Sequence, residues 1–214
     1  MKIELKPLFR VCKAALNSSN PADFALLKAV LLGAKANPAI AHALEPMRGY
    51  YPAIDLTKLI ALPQGSLGYE YALYMQLNKL QPLQISAELE EIARRNTFAF
   101  RYIVTHDLFH VLLDFDTSYA GEIGVLAFAV AQQYSRWQNI GLHIAKYLYP
   151  LLSPRQSSSI AANLRRGKQL GQTANFLLNY PFEANWHRPL TELRRELSIE
   201  LNGSEPRSLN CSPK

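Results

Sequence analysis

The chain has 214 residues, of which 49% are hydrophobic and 19% charged, so its composition suits one globular domain and excludes a disordered or collagen-like chain. Its two cysteines, Cys12 and Cys211, lie near opposite ends, which excludes a disulfide framework and a cysteine-based zinc or iron–sulfur site. The net charge of +6 is compatible with nucleic acid, an anionic membrane surface or a phosphorylated ligand, and does not choose among them.

The N-terminal and apolar segments predict neither a signal peptide nor a transmembrane helix. Residues 1–7 alternate charged and apolar residues and lack the continuous apolar core of a signal peptide. The longest apolar stretch, residues 123–131, is less than half of the ~20 residues that span a bilayer. We therefore expect a chain that does not cross a membrane, although it could lie against one.

The first half of the chain shows the periodicity of short helices. Asn20 reads as an N-cap, followed by Pro21 in the first helical position, and apolar residues then recur at helical spacing over 24–36. A second helix is predicted over 38–47. Glycines and prolines punctuate residues 48–68, which we interpret as a loop-rich connection, and helical character resumes over 69–80.

The second half predicts longer helices and completes the fold class. Helices are expected over 87–113, 122–149, 153–179 and 191–201, with a polar turn over 114–121. No strand series, repeat or dividing linker is apparent. The sequence therefore predicts an all-α, single-domain bundle of seven to nine helices over residues 1–201, and a disordered polar tail over 202–214.

The residues that carry chemistry lie around the second long helix. His106, Asp107 and His110 fall within about 100° of one another on a helix, and Glu122 follows the polar turn. Two imidazoles one turn apart can chelate a metal ion, as in the helical H-E-x-x-H zinc motif. The turn would let Glu122 reach the same ion from the next helix. These four residues are the predicted catalytic and metal-ligating set.

A structural explanation without metal stays open at this point, because histidines at i, i+4 are commonly surface or capping residues and Asp–His hydrogen bonds explain such pairs. The apolar context favours the metal, since buried His, Asp and Glu side chains need partners. Mixed nitrogen and oxygen donors favour Zn²⁺, Fe²⁺ or Mn²⁺, with Mg²⁺ possible. Asp114 and Asp116 are interpreted as turn residues or as groups that support the ligands. A zinc peptidase is disfavoured because Asp107 is one methylene shorter than the usual glutamate base.

Three ordered motifs resemble the coenzyme Q biosynthesis protein 4 family. The first is H-D-x-x-H, eleven residues, then E, matched by His106, Asp107, His110 and Glu122, with Gly121 before the glutamate. The second is the L-P-x-G-S-L-G-x-x-Y stretch that begins at Leu62. The third is similar to residues 193–199, L-R-R-E-L-S-I, preceded by Trp186. The resemblance runs over residues 62–199, about two thirds of the chain.

The resemblance implies an all-α protein of ubiquinone or prenyl-quinone biosynthesis with a divalent-metal site at the four matched residues. The implied activity is oxidative decarboxylation of a polyprenylated hydroxybenzoate ring. The alternative is a non-catalytic prenyl-lipid-binding scaffold that organises other quinone-biosynthesis proteins. The implied location is cytoplasmic and peripheral to the inner membrane face in a bacterium, or on the mitochondrial matrix side in a eukaryote, although no transit peptide is seen. A homodimer is compatible with this. An H-D-type phosphohydrolase is a weaker third reading, because the only earlier histidine, His42, lies in another predicted segment.

Two further features are open to a functional and a structural interpretation. Gly121, Gly124, Ala127 and Ala131 could leave a tunnel for prenyl units or allow a close helix crossing. The basic cluster at residues 165–168, with Arg155 upstream, could bind lipid headgroups or a prenyl phosphate, or it could be a solvated helix face. Nucleic acid is disfavoured as a partner, because aromatic residues do not interleave with the basic ones.

Overall fold

The computed structural model describes residues 20–31 and 33–201. Within these residues ten α-helices and no β-strand are present. They are α1 (Pro21–Leu31), α2 (Pro38–Ala43), α3 (Leu56–Leu59), α4 (Leu67–Leu77), α5 (Glu90–Arg95), α6 (Thr97–Leu113), α7 (Tyr119–Ala131), α8 (Arg136–Leu152), α9 (Ser157–Thr173) and α10 (Leu190–Glu196). Single 3₁₀ turns at Glu45–Met47, Ala87–Leu89, Pro154–Gln156 and Phe182–Ala184 join them.

The all-α prediction is confirmed, but two predicted long helices are divided. The helix expected over 87–113 breaks at Asn96, whose side-chain amide donates to the Ile92 carbonyl at 2.9 Å and so competes with the helical ladder. The helix expected over 122–149 ends at Ala131, and Gln133, two residues later, adopts a left-handed φ of 56°. The next helix, α8, begins at Arg136 with Ser135 as its N-cap. These two divisions, together with the single turn α3, give ten helices in the described residues, against about seven to nine predicted.

The other boundaries differ by a few residues. The predicted helices over 38–47, 69–80, 153–179 and 191–201 are observed as shorter helices with adjoining 3₁₀ turns or loops. The loop-rich segment 48–68 contains the single turn α3, capped by the Asp55 carboxylate. The predicted polar tail 202–214, and residues 1–19 of the predicted domain, lie outside the described residues.

The main hydrophobic core lies between α4, α6, α7 and α10, and a smaller cluster packs α1 and α5 against the start of α6. Within the described residues, no helix is both long enough and apolar enough to pass through a bilayer. Helix α6, which carries His106 and His110, runs through the middle of the molecule, and most of its side chains are buried.

Helices α7 and α9 cross so closely that glycines are required at the contact. A Cβ added to Gly167 would lie 2.1 Å from the Gly124 carbonyl oxygen, and one added to Gly171 would lie 2.5 Å from that of Phe128. A Cβ on Gly124 would meet the Phe115 ring at 2.6 Å. The small residues of α7 were expected to leave a prenyl tunnel or to allow a close helix crossing. At Gly124 the structure shows the helix crossing.

Replacing Gly167 with alanine is expected to destabilise the fold by about 1–3 kcal/mol, because the added methyl group forces the α7–α9 pair apart. Gly141 in α8 is the matched control, since an added Cβ there would meet nothing closer than 4.0 Å. Alanine at that position should leave the stability unchanged or raise it by up to about 1 kcal/mol. Urea unfolding of both variants checks the prediction, and equal stabilities for the two would contradict it.

The C-terminal segment packs against the start of α4. The backbone amides of Leu67 and Gly68 donate to the carbonyls of Arg188 and Trp186, at 2.8 and 2.9 Å. The indole of Trp186 stacks on Tyr71 with ring centroids 5.3 Å apart. The second and third sequence motifs are therefore two sides of one contact.

Two arginines hold the C-terminal end of α6. Arg194 donates to the carbonyls of Val111 and Leu112 at 2.8 and 2.9 Å, and Arg166 donates to those of Leu113 and Asp114 at 2.8 and 3.1 Å. These four carbonyls have no partner within the helix, and the two guanidinium groups also offset the negative end of its dipole. Arg166 is therefore a structural capping group, which neither interpretation of the basic cluster anticipated.

Candidate metal centre

His106 and His110 lie one turn apart on α6, as their spacing predicts. Their ring centroids are 4.9 Å apart. The exposed fraction of the His106 side chain is 27%, and that of His110 is 1%. One imidazole thus lies inside the core and the other at its edge.

The turn after α6 brings Glu122 to this pair. Asp114 ends α6 in the left-handed conformation with a φ of 54°, which reverses the chain direction. Ser118 then caps α7 by accepting a hydrogen bond from the Gly121 amide, and Glu122 lies in the first turn. Its carboxylate oxygens are 3.5 Å from His106 Nε2 and 3.4 Å from His110 Nε2.

Gly121 is required by the tightness of this turn. A Cβ at residue 121 would lie 1.8 Å from the carbonyl oxygen of Asp116, a separation no side chain can adopt. The Asp116 carboxylate accepts hydrogen bonds from the amide and hydroxyl of Ser118. Asp114 and Asp116 are thus turn residues, which is one of the two roles expected for them. Gly121 allows the Asp116 carbonyl to pack against the first turn of α7.

The buried imidazole of His110 has one nitrogen without a hydrogen-bond partner. Its Nδ1 lies 3.3 Å from the Phe115 carbonyl oxygen, to which it can only donate. In a neutral ring Nε2 is then the nitrogen without a proton, and it is buried with no hydrogen bond to the described residues. It faces a Glu122 oxygen at 3.4 Å. Two electron-pair donors facing each other need a cation or a proton between them.

The donor atoms of His106, His110 and Glu122 lie close enough together to hold a metal ion between them. One donor atom from each residue can be chosen so that all three lie within 4.8 Å of one another. In a tetrahedral zinc site with bonds of ~2.0–2.1 Å, the donors lie about 3.3 Å apart. The separations of 3.4 and 3.5 Å between Glu122 and the two imidazoles are close to that value. Two imidazoles and a carboxylate suit Zn²⁺, Fe²⁺ or Mn²⁺.

The surroundings keep Glu122 ionised. Burial alone would raise the pKa of Glu122, but the neighbouring His110 and His106 imidazoles outweigh it and hold this pKa below its usual value. Burial lowers the pKa of His106, whereas Asp107 and the Glu122 charge raise it, and the net change is upward. The site thus concentrates negative charge beside its two imidazoles, which favours a cation.

Asp107, the fourth predicted ligand, does not join this group of three. Its Oδ1 lies 3.6 Å from His106 Nδ1, on the side of the ring away from Glu122. After burial, its charge is the next largest cause that raises the pKa of Tyr71 and of Tyr74, both on α4. Because its carboxylate lies beside Nδ1 of His106, Asp107 can orient the His106 ring.

Two tyrosines complete the surroundings and were missed by the sequence analysis. Tyr74 stacks on His110 with ring centroids 5.9 Å apart, and its buried hydroxyl has no hydrogen-bond partner among the described residues. Tyr102 lies edge-on to His106 at 6.0 Å. Tyr102 precedes His106 by four residues, so helical spacing could have found it. Tyr74 comes from α4, and no local pattern connects it to the site.

The described residues thus form a helical protein that brings two imidazoles and a carboxylate from adjacent helices to one point suited to a metal ion. A sequence model of the family described as coenzyme Q (ubiquinone) biosynthesis protein Coq4 matches residues 51–202. The chain belongs to this family.

Curated relatives agree with this assignment. The chain is 33% identical over 153 residues to the mitochondrial ubiquinone biosynthesis protein COQ4 homolog of Mus musculus, covering 68% of this chain and 54% of the relative. The Homo sapiens homolog is 32% identical over 152 residues, covering 68% and 55%. The chain thus spans about half the length of the curated relatives it matches.

A solved structure shows the same fold. It is the crystal structure of a Nostoc punctiforme protein described as a candidate ubiquinone biosynthesis protein, with a TM-score of 0.62 and 21% sequence identity. The match covers 92% of this chain and 96% of the Nostoc chain. The two proteins therefore share a helical fold.

Proposed function

We propose that this protein acts in ubiquinone or prenyl-quinone biosynthesis as a metal-dependent enzyme on a polyprenylated hydroxybenzoate. The reaction is an oxidative decarboxylation, in which the ring carboxylate leaves as CO2 and a hydroxyl takes its place, with an oxidant such as dioxygen as co-substrate to accept the two electrons and supply the oxygen. The observation that carries the metal dependence is the buried, unpartnered Nε2 of His110 facing the Glu122 carboxylate. The pathway and substrate class are supported by membership of the family and by the names of the curated relatives.

In this proposal His106, His110 and Glu122 hold the ion, and other groups set their orientation. The Phe115 carbonyl keeps the proton of His110 on Nδ1, and Asp107 favours the same tautomer at His106, so both Nε2 atoms face Glu122. When bound, the ion would act as a Lewis acid on the substrate carboxylate or a ring oxygen. The rings of Tyr74 and Tyr102 exclude water from the inner side of the imidazoles.

The test combines metal analysis with complementation of a quinone-deficient strain. We expect the purified protein to carry about one divalent ion per chain and to restore quinone synthesis. His106→Ala and Glu122→Ala should lose both the ion and the quinone. His143→Ala, which changes an exposed histidine of α8, is the control and should keep both. Absence of any ion, with full complementation by both site variants, would overturn the proposal.

The second candidate is a non-catalytic prenyl-lipid carrier or scaffold that contacts other quinone-biosynthesis proteins at a membrane face. It is favoured by the exposed apolar side chains of α8. Under either candidate function, we expect the protein to associate peripherally with the inner face of a bacterial inner membrane, or with the matrix side in a eukaryote. It predicts that site variants still complement and that mass spectrometry finds a co-purifying isoprenoid, which separates it from the enzyme.

A further inference from the structure

Helix α8 exposes an unusual number of large apolar side chains. Leu151 is 77% exposed, and six others on this helix are at least 41% exposed. These six are Trp137, Ile140, Ile144, Tyr147, Leu148 and Leu152. Water contact at seven such side chains is unfavourable, which marks the helix as an interaction surface.

The exposed apolar residues form one continuous face. At about 100° per residue they span an arc of roughly 140° around the helix. A separate face, which includes Leu142, Ala145 and Tyr149, packs against the rest of the protein. Arg136 and Lys146 are exposed and lie outside both arcs. The helix thus has a packed face, an exposed apolar face and a polar face that carries positive charge, as interfacial helices do.

The charge around this face has one sign. Residues 123–182 contain no aspartate or glutamate, but six basic residues: Arg136, Lys146, Arg155, Arg165, Arg166 and Lys168. The rest of the chain has 17 basic and 17 acidic residues, so this segment carries the whole net charge of +6. All but Arg166 are exposed, and those five form no ion pair within the part of the chain that the structure describes.

We propose that the exposed face of α8, residues 137–152, is the docking surface for a membrane that contains anionic phospholipids. The inference rests on the proposed peripheral location and names the surface responsible for it. Apolar side chains enter the boundary between headgroups and acyl chains, while the flanking basic side chains contact lipid phosphates. A second copy is a poorer occupant, because two such faces would bring like charges together without any acidic partner.

Vesicle flotation of the full chain tests this surface. The wild-type protein should float with vesicles of phosphatidylcholine mixed with phosphatidylglycerol, and float less with phosphatidylcholine alone or at high salt. The double variant Ile144→Gln, Leu151→Gln should partition at least about tenfold more weakly, since two apolar anchors are lost. Leu77→Gln is the matched control, because Leu77 is exposed on α4, away from this face, and should leave partitioning unchanged.

Two outcomes would overturn the proposal. One is equal flotation of the double variant and the wild type. The other is a wild-type dimer that does not bind vesicles and that the double variant converts to monomer, which would make the face a self-interface. His106→Ala should still float, and the double variant should keep its metal, so failure here is distinguishable from failure of the proposed function.

Discussion

Replacing His110 with alanine is expected to abolish the stabilisation of this protein by a divalent metal ion. A ligand present at a hundredfold excess over its Kd stabilises the folded state by about 2.7 kcal/mol. The wild type should gain that amount when Zn²⁺ is added at this excess, because the ion pairs with the buried Nε2 of His110 and with Glu122. The variant should gain none. Urea unfolding with and without metal, after treatment with a chelator, measures the difference.

The apoprotein provides a check on the same substitution. Without metal, His110→Ala removes an unpartnered buried nitrogen as well as a packed ring, so part of the packing loss is offset. The metal-free stabilities of variant and wild type should therefore differ less than their metal-dependent gains do. A His143→Ala control should respond to metal as the wild type does. An equal response of His110→Ala to Zn²⁺ would remove this residue from the metal centre.

The second large effect is expected at Arg101, where leucine should destabilise the fold by about 3–5 kcal/mol. The guanidinium is 0% exposed and lies 2.7 Å from the Glu183 carboxylate, which is 2% exposed. It also donates to the Tyr180 carbonyl at 3.1 Å. Its removal would leave a buried carboxylate without its counter-charge and would remove one of the two hydrogen bonds to the Tyr180 carbonyl. Urea unfolding measures the loss.

Two further variants separate the buried charge from the packing. Arg101→Leu combined with Glu183→Leu should recover part of the stability, because no uncompensated charge remains. Arg95→Leu is the surface control, since the Arg95–Glu91 pair is exposed and should contribute less than about 1 kcal/mol. If Arg101→Leu costs no more than Arg95→Leu, the Arg101–Glu183 pair does not stabilise the core.

The fold class could be predicted because helical periodicity is a local property. Apolar spacing and the Asn20 cap are read from neighbouring residues, and the cap occurs where α1 begins. The breaks at Asn96 and Gln133 were missed because apolar residues continue on both sides of them. Whether an asparagine side chain takes a carbonyl from the ladder depends on where the next helix must pack, and that depends on the whole chain.

The candidate site, like the fold, could be predicted only in part from the sequence. A spacing of four residues on α6 was sufficient to place His106 beside His110, since helix geometry requires it. The arrival of Glu122 was anticipated from the polar turn, but its distance from the two imidazoles is set by the left-handed Asp114 and the contact at Gly121. Asp107 was assigned to the same metal group because it shares a face with His106, but its carboxylate lies beside Nδ1 of His106, whereas Glu122 lies beside Nε2.

The sequence by itself determined that the chain is helical, that two histidines share one helix face, and that positive charge collects between residues 123 and 182. Only the tertiary structure decided that His110 is buried with a free nitrogen, that Arg166 and Arg194 cap α6, and that Arg101 lies in the core beside Glu183. Periodicity and charge act between near neighbours, whereas burial and partner choice depend on residues far apart in the chain.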